Sequence, residues 1–73
     1  MPKLYSSQEV VKTLEREGFV FVSQRGSHAK YRKTGASIVL TVIVPAGRKQ
    51  IPRGTFRSIL RQSNLDESTF RQG

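Results

Sequence analysis

Ile38-Val39-Leu40-Thr41-Val42-Ile43-Val44 is the longest apolar run of the chain, and it ends on Pro45. It is far shorter than the roughly 20 residues that span a bilayer, and it is rich in the β-branched residues that suit a pleated strand. Proline has no N–H for a strand ladder, so the run reads as a strand that stops there. In a chain of 73 residues this strand serves a small core, because a domain of this size removes only about 60% of its unfolded surface from water. One domain over 1–73 is expected, with no second module, linker or repeat.

The flanking segments supply the partners. Ser6-Ser7-Gln8-Glu9 has the form of a capping box, in which Ser6 accepts from the Glu9 N–H while the Glu9 side chain reaches back. Val10, Val11 and Leu14 follow at helical spacing, and Gly18 marks the stop. Phe19 to Gln24 and His28 to Lys33 read as extended segments joined by a Gly26-Ser27 turn, a hairpin. Thr34 to Ser37 turns the chain into the apolar strand. After a basic loop, Ala46 to Gln50, Pro52 opens a second helix whose buried stripe is Phe56, Ile59 and Leu60. Asn64 closes it, and Asp66 caps a short final turn ending near Phe70. Phe19, Phe21, Phe56 and Phe70 are assigned to packing. The expected fold is α+β, a two-layer sandwich of order helix-strand-strand-strand-helix, with the helices on one face of a three-stranded antiparallel sheet.

Thirteen Lys and Arg against five Asp and Glu give a formal charge of +8. That excess points to polyanionic partners: nucleic acid first, an acidic protein second, an anionic membrane third. A merely solvated basic surface is the alternative. Neither helix has the broad apolar face of a membrane-surface helix, so no membrane partner is expected. Without cysteine, and with one histidine, the chain is poorly supplied with metal ligands, so neither metal nor cofactor is expected. The N-terminus lacks an apolar leader core, and a soluble, cytoplasmic protein is expected.

The one histidine lies in the densest basic stretch, Arg25-Gly26-Ser27-His28-Ala29-Lys30-Tyr31-Arg32-Lys33. With the two-residue period of a strand, His28, Lys30 and Arg32 share a face, about 6.6 Å apart in succession, while Ala29 and Tyr31 point the other way. Imidazole exchanges protons near neutral pH and cations attract phosphate, so the row can hold a phosphodiester while His28 takes or gives a proton. The alternative is an exposed polar residue of a half-solvated strand. Gly26 is a turn position needing positive φ, and it also permits backbone to approach a phosphate. Tyr31 either stacks on a base or faces the helices as core. Arg53, Arg57 and Arg61 recur every four residues, either as a solvated face or as a stripe for RNA or an acidic protein.

Gly18-Phe19, Gly26-Ser27-His28 followed by Tyr31, Val42-Ile43-Val44-Pro45 and above all Ile51-Pro52-Arg53-Gly54-Thr55-Phe56-Arg57-Ser58-Ile59-Leu60-Arg61-Gln62 stand in an order that resembles the HicA (YcfA-like) toxins of bacterial toxin-antitoxin pairs. The resemblance spans almost the whole chain. It implies a double-stranded-RNA-binding-domain-like fold and a small endoribonuclease that cleaves mRNA without a metal and is silenced by a HicB antitoxin. It places the catalytic residue at His28, preceded by the Gly26-Ser27 turn. Arg25, Gly26, Ser27, Lys30, Arg32 and Lys33 are then expected to bind RNA, and Arg53, Arg57 and Arg61 to meet RNA or an acidic antitoxin surface. The chain departs from the family pattern at Ala29, where many relatives carry a basic residue or histidine, and at Ala46-Gly47, where a histidine is frequent. A mechanism needing a histidine pair is thereby excluded. The other reading is a non-catalytic RNA-binding or protein-interaction module of the same fold.

Overall fold

The computed structural model describes residues 3–71. In chain order it contains α1 (Ser7–Arg16), β1 (Val20–Arg25), β2 (His28–Thr34), β3 (Val39–Pro45), α2 (Arg53–Ser63) and α3 (Glu67–Arg71). The strands form one antiparallel sheet of order β1-β2-β3, with β2 in the centre. This is the expected α+β sandwich with its double-stranded-RNA-binding-domain-like order, and α3 adds a short helix where the sequence suggests a final turn.

Local chemistry sets the boundaries. The Glu9 N–H donates to Ser6 Oγ at 3.1 Å and the Ser6 N–H donates to Glu9 Oε1 at 2.9 Å, so the capping box is complete. The same backbone bond, with Lys3 beside it, holds the Glu9 carboxyl below its ordinary pKa. Gly18, at φ +98°, turns the chain out of α1 in a conformation closed to most side chains. Asn64 does the same for α2 at φ +63°, with its N–H on the Leu60 carbonyl. Pro52 stands at the N-cap of α2 rather than inside it, and its carbonyl receives the Phe56 N–H. At the start of α3 it is the Asp66 carbonyl that accepts, from Thr69 N–H. The apolar strand starts at Val39 rather than Ile38, and Pro45 belongs to it as the last paired residue.

The core lies between the helices and the β2–β3 half of the sheet. Val10 and Leu14 of α1 and Phe56 and Ile59 of α2 meet Tyr31, Val42 and Val44, all buried. Tyr5 stacks on Phe56 at 5.0 Å between ring centroids, and Phe70 meets Phe56 edge-on at 5.1 Å, which fastens α3. β1 is different: all six of its residues are exposed. The assignment of Phe21 to packing therefore needs correcting. The residue is 53% exposed, and its ring meets Tyr31 edge-on at 5.7 Å between centroids. The helices rest on β2 and β3, and an irregularity in register between Phe21 and Ser23 falls within the uncovered strand.

Candidate functional site

The face of β2 turned away from the helices carries His28, Lys30 and Arg32, while Ala29 and Tyr31 are buried on the opposite face. Register extends this row across the sheet. Arg25 and Pro45 flank His28, Ser23 and Ile43 flank Lys30, and Val20 and Thr41 flank Arg32. His28 is exposed at the end of the strand where the hairpin closes. Gly26, at φ +58°, makes that closure possible, and open space surrounds the position a Cβ would take. Its glycine thus answers to backbone conformation rather than to crowding. The turn is tied by Gln24 Nε2, which donates to the Gly26 carbonyl at 3.0 Å, and by the Ala46 N–H, which donates to the Ser27 carbonyl at 2.7 Å.

The ion pairs among the described residues are Lys3–Glu9, Arg16–Glu17 and Arg53–Glu67. Arg25, Lys30 and Arg32 take part in none of them, and the buried Arg32 Nε has no hydrogen-bond partner. A face carrying cations without internal carboxylates has unspent attraction for an external anion.

Other sequence-selected cations go elsewhere. Lys33 falls on the helix side of the sheet, opposite Leu40, with its Nζ 5.9 Å from the centre of the Phe19 ring. Its stem lies against Gly18. Lys33 therefore does not join His28. The arginine row on α2 is also divided. Arg53 is half-buried, donates to both carboxylate oxygens of Glu67 at 2.9 and 2.8 Å and lies over the Phe56 ring. This bidentate bond raises the Arg53 pKa and holds the Glu67 carboxyl below its ordinary range. Arg57 and Arg61 are exposed, and Arg61 donates to Ser58 Oγ at 3.1 Å. Tyr31 is core: burial, aided by the charge of Glu15, raises its phenol pKa.

One participant is invisible to strand periodicity. A groove of about 300 Å³ runs from His28 across Ile43 and Pro45 to α2, where Thr55, Ser58 and Gln62 form its far wall, and Arg48 also lines it. The Ile43 N–H donates to Gln62 Oε1 at 2.9 Å, so α2 closes the outer edge of β3 at this point. Arg48 sits in the basic loop after Pro45, and the signal for it is that Pro45 pairs with His28. Among the described residues no helix is long and apolar enough to cross a membrane. No group of three or more His, Cys, Asp or Glu among them is placed to hold a metal ion.

Two comparisons with known proteins bear on this arrangement. A search of curated proteins finds no match to the chain. A family model described as HicA toxin of bacterial toxin-antitoxin matches residues 7–65, a span that includes β1, β2, β3, α2 and the whole groove.

Proposed function

The chain belongs to the HicA toxin family of bacterial toxin-antitoxin systems, and from that premise we propose that it is a metal-independent endoribonuclease acting on mRNA with His28 as general base. The observation that carries this reading is the exposed imidazole at the end of a row of cations that have no carboxylate partner. Neutral His28 accepts the proton of a ribose 2′-OH, and O2′ attacks the adjacent phosphorus. The P–O5′ bond breaks, leaving a 2′,3′-cyclic phosphate on one fragment and a 5′-OH on the other. The 5′-oxygen takes its proton from the newly charged His28 or from water. General-base assistance contributes about 10²–10⁴-fold. Arg25, Lys30 and Arg32 stabilise the charge that grows on the phosphorane oxygens.

Membership of the family also implies an antitoxin partner. In this reading the antitoxin is a HicB-like protein whose acidic groups cover the His28 face together with Arg57 and Arg61, so that inhibition is occlusion supported by charge.

The test is incubation of purified protein with end-labelled single-stranded RNA in EDTA. Products ending in cyclic phosphate are expected from the wild type and not from His28→Ala. Cleavage by a folded His28→Ala protein at the wild-type rate overturns the role of His28. The presence of a single imidazole in the sequence favours one other reading, a basic RNA-binding module without chemistry. It gives salt-sensitive RNA binding with no products.

A further inference from the structure

Arg48 reaches the His28 groove from a loop rather than from the sheet, and the loop is held from outside. The Ser7 N–H donates to the Arg48 carbonyl at 2.9 Å, and the Arg48 N–H donates to Ser7 Oγ at 2.9 Å. The Ser7 hydroxyl also donates to the Pro45 carbonyl. Ser7, buried at the first position of α1, thus bonds both ends of the turn that starts at the strand partner of His28. Further along, the Ile51 N–H donates to the Tyr5 carbonyl at 2.7 Å. A surface loop with this many backbone bonds has a defined course, and Arg48 has no ion-pair partner among the described residues.

We propose that Arg48 is a phosphate-binding residue of the groove, holding an RNA phosphate that flanks the one beside His28, and that Ser7 is the positioning residue that keeps Arg48 there. The proposal rests on the nuclease reading above and extends it in direction. The sheet row Lys30–Arg32 engages the chain on one side of His28, and Arg48 engages it on the other, over the edge of β3 toward Thr55 and Ser58. A guanidinium suits this task because it presents several donors to a phosphate at once. Lys49, its neighbour, carries the same charge on the same loop but does not line the groove.

The experiment compares Arg48→Ala, Lys49→Ala, Ser7→Ala and the Ser7→Ala/Arg48→Ala double variant, each with its melting temperature, by cleavage kinetics and by RNA binding across salt concentrations. Arg48→Ala is expected to raise KM roughly tenfold to a hundredfold with most of kcat retained. It should also lower the salt slope of binding by about 0.7. Lys49→Ala should change KM by no more than about twofold. Ser7→Ala should raise KM by less than Arg48→Ala does, and in its background the further loss of Arg48 should cost distinctly less than in the wild type. Equal effects of Arg48→Ala and Lys49→Ala overturn the phosphate site, leaving a general charge effect. An undiminished cost of Arg48→Ala in the Ser7→Ala background overturns the positioning role. If the wild type makes no product, the nuclease reading fails on its own, and the salt slopes still decide for or against Arg48.

Discussion

The two faces of β2 come from one run of alternating residues and have opposite fates. Ala29, Tyr31 and Lys33 turn toward the helices, where the first two are buried and the half-buried lysine holds its Nζ over the Phe19 ring. His28, Lys30 and Arg32 turn away from the helices, and neither cation of this row is in an ion pair. Position along the strand, not residue type, separates the two groups: Lys30 and Lys33 are the same side chain with different surroundings. A basic sequence run is therefore not a basic surface until the pleat has sorted it.

His28→Ala should lower RNA cleavage by about 10²–10⁴-fold with an unchanged melting temperature. Tyr31→Ala should destabilise the fold by roughly 3–5 kcal/mol, as for loss of a large buried aromatic. Denaturant titration of both variants checks that the two outcomes do not cross over.

The two lysines of β2 should differ in RNA binding. Lys30→Ala should reduce the salt slope of RNA binding by about 0.7, and Lys33→Ala should leave the slope unchanged while lowering the melting temperature slightly. Equal slopes for the two would mean that the faces are not distinct to RNA.

Smaller still is the pH response. The Tyr31 pKa is raised by burial, so the unfolded phenol ionises first. Stability linked to it is complete below the ordinary value of about 10 and is lost as pH rises through the higher folded value. The Glu67 carboxyl is shifted the other way by Arg53. Its contribution is complete above the ordinary value of about 4.3 and is lost as pH falls through the lower folded value. Thermal melts across both windows should show each decline; Tyr31→Phe should remove the alkaline share of Tyr31, and Glu67→Gln should lessen the acid decline while leaving the share of Glu9.

Much of this molecule is legible in its sequence, where the determining interactions are close along the chain. The Ser6–Glu9 box, the left-handed residues at Gly18, Gly26 and Asn64, and the alternation of β2 are all set within a few positions. Strand period also places Lys33 away from His28, although composition groups it with the other cations. Arg53 was beyond reach, because its partner Glu67 lies on another helix. Arg48 was too, since its place depends on Ser7 at the far end of the chain order and on the register of β2 with β3. The exposure of Phe21 likewise follows from where the helices rest, which no local pattern records.

Tyr5 and Phe70 press on the same ring, that of Phe56, from near opposite ends of the described chain. The head and tail of the polypeptide thus share one knot, and slackening either should loosen the other. Deleting residues after Leu65 would take away the Phe70 plug and the Glu67 clasp together, exposing the floor on which Tyr5 sits. The segment ahead of α1 would then fray, and with it the carbonyl that anchors Ile51.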